Sequence, residues 1–260
     1  MTKKLKSRQA VAEAKAPGSP DATLEEAYKT FFPNVTDRII FTKALSDIAS
    51  HDPGVRVDAA RVIAGVRLES SVKAIVAQMA REPSAQARQE YLKALTTMEM
   101  KEAMPAVKRA LTDELASVRL AAVWALYHLA GAESAPALVQ VFSDADEEVR
   151  RRAATCIGWL GQERFAAELL PLLGDGSVSV RQAAIDAMAN LGSRHVVSAL
   201  IEHLKDPEKS VRKAIVGALK AITGKTMSGP FPTDEKSLER LIVRWREWWT
   251  EELSGWSGRR

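Results

Sequence analysis

Apolar positions along this chain return in a fixed pattern. A small apolar residue followed by arginine opens each of six stretches: Val55-Arg56, Ala87-Arg88, Val118-Arg119, Val149-Arg150, Val180-Arg181 and Val211-Arg212. The arginines step by 32, 31, 31, 31 and 31 residues. Within each stretch apolar residues sit three, four and seven positions after the arginine, which is one face of a helix. Six positions after it runs a column of small residues, Val62, Ala94, Ala125, Cys156, Ala187 and Ala218. The next position holds Ile63, Leu95, Leu126, Ile157, Met188 and Leu219. Glycine usually follows (Gly131, Gly161, Gly192, Gly224), as a helix ending in a left-handed residue requires. A second helix repeats columns of its own: Val107, Leu138, Leu169 and Leu200, then Leu111, Phe142, Leu173 and Leu204.

Neither helix can bury its stripe inside so short a unit, so the units must stack. No stretch alternates with period two. The pattern therefore predicts an all-α fold: an α-solenoid of about six 31-residue two-helix repeats, with capping helices at both ends. At the front, Thr23 and Glu26 have the spacing of a capping box, so "TLEEAYKTFF" is read as a short helix that Pro33 ends. Thr36 then opens "DRIIFTKALSDIA", the partner of the first full repeat. At the back, "MSGPFPTDEK" reads as a loop before a tryptophan-rich helix. In that helix Leu238, Leu241, Ile242, Trp245, Trp248 or Trp249, and Leu253 share a face. The division expected is a disordered basic tail at 1–20, a solenoid with its N-terminal cap at 21–224, and the loop and capping helix at 225–260.

An aspartate six residues before the arginine, the alanine pair and the late Leu-Gly on a 31-residue period resemble the HEAT-like repeats of the phycobilin-lyase type, over residues 34–224. The second copy departs most. It lacks the closing glycine, and Tyr91 and Leu92 replace the alanine pair, which predicts a looser or bulkier junction.

Composition changes this picture little, but charge does. The net charge is +4, and residues 1–20 carry five lysines and arginines against Glu13 alone, so the remaining body is formally neutral. That weakens a general polyanion-binding role. A single cysteine, Cys156, excludes an intramolecular disulfide and fits a reducing compartment. The N-terminus lacks the apolar core of a secretory signal, and no run is long enough to span a membrane, so a cytoplasmic protein is expected; that it is bacterial is implied by the resemblance of its tryptophan-rich end to those of bacterial repeat proteins of the family. Oligomeric state is left open.

The repeated arginines Arg56, Arg88, Arg119, Arg150, Arg181 and Arg212 have loop acids six residues earlier in most copies: Glu82, Asp113, Asp144, Asp175 and Asp206. A structural ladder is expected, each arginine meeting the acid of its own loop or that of a neighbouring repeat. Other positions of the same helix vary between copies and are free to specialise. The family resemblance implies that they line the concave face of the solenoid. There Arg61, Lys93, Trp124, His128, Arg151 and Arg152 would form a basic groove with an aromatic centre, of residue types that commonly anchor interfaces.

Catalytic chemistry finds little support. His51, His128, His195 and His203 fit no metal-ligand spacing, and the His-Glu pairs of iron-binding relatives are missing. "GKT" at Gly224–Thr226 follows a helix and lacks the earlier glycine of a phosphate loop, and Cys156 falls in the small-residue core column. The sequence thus points to a non-catalytic scaffold or adaptor without a cofactor, holding a helix, tail or acidic segment of a protein partner in the groove. Two alternatives stand beside it: a nucleic-acid-binding array, and, through the resemblance, a tetrapyrrole (bilin) lyase or chaperone-like protein.

Overall fold

The structure, a computed structural model, describes residue 32 and residues 34–257, with side chains described as far as Gly255. The expected basic tail, the helix expected over 23–32 except for its last residue, and the Trp256 side chain lie outside what is described.

Twelve α-helices and no strand occur among the described residues. Six are the first helices of the repeats and carry the ladder arginines: α2 (Pro53–Ala64), α4 (Ala85–Met98), α6 (Ala116–Ala130), α8 (Glu147–Leu160), α9 (Val178–Leu191) and α11 (Lys209–Thr223). They stack on one another in chain order. The second layer comprises α1 (Val35–Asp47), α3 (Glu69–Met79), α5 (Met104–Ala110), α7 (Ala135–Gln140), a 3-10 run over Ala167–Gly174, α10 (Val197–Glu202) and α12 (Glu235–Ser257). This is the all-α repeat solenoid that the periodicity predicts.

Several second-layer elements are short, and in one of them the sequence interrupts the helix. Pro171 removes a backbone donor from the middle of 167–174, which runs as 3-10 helix. What they share is an apolar triad at i, i+3 and i+7: Val72, Ile75 and Met79, or Val197, Leu200 and Leu204, packed into the core. The same triad appears in α1 as Phe41, Ala44 and Ile48, and in α12 as Ile242, Trp245 and Trp249. The C-terminal helix is thus the second helix of the last unit, reached through a longer loop, and it packs on α10. Both Trp248 and Trp249 join the core, so neither is turned away as a single stripe would require, whereas Leu253 is exposed. Trp249 donates to Ser198 Oγ at 2.9 Å, and Arg246 pairs with Glu202. Larger side chains explain why both rings fit: the helix replaces the leucines of earlier units with indoles that reach further.

The ladder connects repeats. Each arginine Nη1 donates to two carbonyls of its own loop, as Arg150 does to Asp144 at 2.7 Å and Ala145 at 3.2 Å. Its carboxylate partner lies in the following repeat: Arg88 with Asp113, Arg119 with Asp144, Arg150 with Asp175, Arg181 with Asp206. The acid six residues earlier therefore lends its arginine only a carbonyl. Its carboxylate serves the preceding repeat and accepts the backbone N–H two residues on in its own loop, as Asp175 does from Ser177 N at 2.8 Å. Asp52, four residues before Arg56, is no ladder acid; it caps α2 at Gly54 N and Val55 N. Likewise Asn34, rather than Thr36, caps α1. Arg212 ends the ladder, with Ser237 standing where the next acid would fall.

The divergent second junction is bulkier and tight. Glu82 replaces aspartate and accepts from Arg56 at 2.7 and 2.5 Å, from Tyr91 Oη at 3.0 Å and from Ser84 N at 3.0 Å. Tyr91 and Leu92 are fully buried. Burial alone would raise the Glu82 carboxyl; the Arg56 guanidinium and the other donors outweigh it and hold the group at about 2. With no closing glycine in this copy, Glu99 itself adopts the left-handed conformation, φ 52°.

At the front of the stack, two columns change character. Val55 and Val62 are 39% and 38% exposed, although their counterparts in every later repeat are buried against the preceding first-layer helix.

Candidate functional site

The residues singled out in the sequence all lie on the first-layer helices, at positions one, two, five or nine after the ladder arginine. They do not form one basic patch. Arg61 bridges Asp58 and Glu90, both at 3.0 Å, and Lys93 meets the same Glu90 at 2.6 Å. Lys93 and then Arg61 hold the Glu90 carboxyl below the ordinary range. Arg151 chelates Glu148 with both arms of its guanidinium, and Arg152 approaches the same carboxylate at 3.8 Å. Each cation thus meets a carboxylate of the same chain, three carboxylates offsetting four cations, so the groove is far less basic than the sequence predicted. Glu90 lies three residues before Lys93, and Glu148 three and four before Arg151 and Arg152, a helical pairing that a search for positive residues passes over, while Arg61 reaches Glu90 from the preceding repeat.

The aromatic centre is larger than predicted. Trp124 and His128, one turn apart on α6, sit 4.4 Å centroid to centroid. Tyr127 and Trp159 join them: Trp124 to Trp159 is 6.1 Å, and Tyr127 to Trp159 is 5.8 Å. These are edge or tilted contacts of the kind ring quadrupoles favour. The guanidinium of Arg152 lies over Trp124, 5.4 Å from the ring centre. Despite these contacts Trp124 remains 38% exposed and Trp159 51%. Sequence reading missed Tyr127 and Trp159. The step of one turn that added His128 to Trp124 on α6 would have reached Trp159 on α8, which stands at the same register.

Beyond Trp159 the face continues as a cleft of about 440 Å³ between α8 and α9. Arg151, Thr155 and Trp159 line one wall; Gln182, Asp186 and Asn190 line the other. Each trio is spaced by four residues, so both walls are straight rows. Gly158 sets the separation of the walls: a Cβ there would come within 2.7 Å of the Ala187 Cα.

The remaining candidates are structural. Cys156 is fully buried, and desolvation pushes its thiol up to about 12, far from a reactive thiolate. Gly224 ends α11 in the left-handed conformation, so "GKT" is a helix terminus. Among the described residues no cluster of three or more metal-ligating side chains occurs, and no helix is long and apolar enough to cross a membrane.

Comparison with known proteins bears on the architecture. No curated protein sequence matches the chain. Among solved structures it is similar to a designed armadillo repeat protein in complex with the peptide (KR)4, at 19% identity over 70% of this chain and 98% of that one, TM-score 0.48. It is similar too to the complex of CpcE and CpcF of phycocyanin lyase from Nostoc sp. PCC7120, at 23% identity, 57% and 98% coverage and TM-score 0.46. Human deoxyhypusine hydroxylase follows at 16% identity, 84% and 94% coverage and TM-score 0.37. Likenesses this distant say nothing of activity. Four overlapping stretches, 72–157, 116–187, 135–220 and 166–247, match the HEAT repeats directly. Those stretches take in more than half of the residues, and the chain belongs to the HEAT-repeat family.

Proposed function

We propose that this protein is a non-catalytic scaffold that holds a segment of a protein partner along the first-layer face from α4 to α9. The reading rests on one observation: two tryptophans, 38% and 51% exposed, stand side by side on a face otherwise made of polar and charged groups. Large exposed indoles cost solvation and commonly serve as the anchors of an interface. A stack of repeats supplies the extended surface on which flanking contacts can form. The nucleic-acid alternative loses its main argument, because Arg61, Lys93, Arg151 and Arg152 are paired with carboxylates of the same chain. For the same reason nothing singles out an acidic segment among the partner segments considered. No specific feature of the face favours the tetrapyrrole alternative.

The test is affinity capture followed by reconstitution with the purified partner, comparing the parent with Trp124→Ala/Trp159→Ala and with Arg240→Ala on the outer side of α12. The double change is expected to weaken binding at least about thirtyfold, as loss of an interfacial anchor does, and Arg240→Ala to leave it unchanged. Full affinity in the double variant would refute this reading.

A further inference from the structure

The α6–α8 groove displays its own filling. There the guanidinium of Arg152 lies over Trp124 and near the Glu148 carboxylate, a cation held between an indole face and an anion. Arg152 stands two positions after its ladder arginine. In the next repeat that position is Ala183, which lines the α8–α9 cleft. The other two components are present: Trp159 on one wall, half of its surface open, and Asp186 on the other. Trp159 is one turn further along its helix than Trp124, so the indole is offered from the far end of the cleft. Asp186 makes no ion pair or hydrogen bond among the described residues, whereas Asp58, Glu90 and Glu148 on the same face all do. Asp186 is an exposed residue, and partial desolvation in the cleft raises its carboxyl above the ordinary range. Arg151, the cation on the opposite wall, is already chelated by Glu148. Gln182, Thr155 and Asn190 add hydrogen-bonding groups along both rows.

We infer that the α8–α9 cleft receives a basic side chain, arginine or lysine, of the partner segment, seated against Trp159 with Asp186 as its counter-charge. The inference rests on the scaffold reading above and names the partner's chemistry: an extended segment carrying a positive residue. Charge complementarity selects it, since the cleft has an anion without a cation and an indole with a free face, and a cation over an indole is favourable beyond simple burial. Walls built of straight polar rows suit the backbone amides on either side of that residue.

The experiment uses the full chain labelled with ¹⁵N and follows the indole N–H resonances, with Trp159 assigned through Trp159→Phe. The probes are acetyl-Gly-Ser-Arg-Ser-Gly-amide and the same peptide with glutamine for arginine. The arginine peptide is expected to shift Trp159 and leave the buried Trp245 unmoved, and the glutamine peptide to bind about fivefold more weakly or worse. Asp186→Asn should cost the arginine peptide a similar factor. Ala183→Arg should remove the response, because the chain then fills the slot itself; if circular dichroism shows that variant misfolded, Asp186→Asn decides alone. Equal titration of parent and Asp186→Asn overturns the inference, as does equal binding of the glutamine peptide. A Trp159 response to a glutamate-rich peptide or a single-stranded oligonucleotide, in place of the arginine peptide, overturns it too. Should the tryptophan double variant lose a partner that Asp186→Asn keeps, the scaffold reading survives and the cation site fails.

Discussion

Replacing Glu82 by glutamine removes the charge at the one junction where the ladder has been rebuilt. Its carboxylate has no exposed surface and faces Arg56, whose side chain is 8% exposed. The group is held at about 2 against an ordinary 4.5. That gap, at about 1.4 kcal/mol per pH unit, is worth ~3 kcal/mol of folded-state stability. The same figure follows from the cost of leaving a buried charge without its partner, about 3–5 kcal/mol. A depressed carboxyl stabilises the fold above its unfolded value, and the contribution is lost as pH falls through the folded one. It is therefore complete at pH 7, roughly halved at pH 3, and nearly gone at pH 2. Urea unfolding followed by circular dichroism should show Glu82→Gln less stable by ~3 kcal/mol at pH 7, with the difference shrinking by about half at pH 3. In thermal scans at pH 7 the loss corresponds to roughly 6–12 °C for a chain of this size. A deficit that is the same at pH 7 and pH 3, or one below about 1 kcal/mol at pH 7, would refute the charge argument.

Other positions make separate predictions. Glu99→Gly should raise stability by about 0.5–1 kcal/mol, because glycine adopts φ 52° without the side-chain clash and the lost ion pair to Arg67 is exposed; an unchanged or lower urea midpoint would contradict this. Gly158→Ala gains about 1 kcal/mol of helix propensity but drives a Cβ to 2.7 Å from backbone on α9, an overpacking cost of about 1–3 kcal/mol; a net loss is expected, and a more stable variant would show that α8 and α9 separate freely. Cys156 should resist a water-soluble disulfide reagent at pH 8 in the native protein and react on addition of denaturant; rapid native labelling would contradict its burial.

Fold class was legible because a repeat writes the same packing problem into the chain six times. A column such as Ile63, Leu95, Leu126, Ile157, Met188 and Leu219 can only be a buried seam, and each of its members is at most 1% exposed. The recurrence of arginine with a loop acid announced a ladder in the same way. Sequence spacing could not say which acid meets which arginine: the one six residues earlier and the one 25 residues later are equally regular along the chain. Only the stacking of one helix on the next puts the later carboxylate against the guanidinium. The candidate site divides similarly. Trp124, His128 and Arg152 could be picked out as departures from the repeat, because specialised positions break a pattern that structural ones keep. Their company could not. Trp159 comes to Trp124 from a different helix, and Glu90 stands between Arg61 and Lys93 from two different repeats. By itself the sequence determined the repeat, its helices and their buried faces, since these depend on local periodicity and on the need to cover apolar surface. The tertiary structure alone decided that the groove's cations are largely offset, that its aromatics form one cluster and that Asp186 stands without a cation among the described residues, because charge pairing and ring contact are set by distances between side chains.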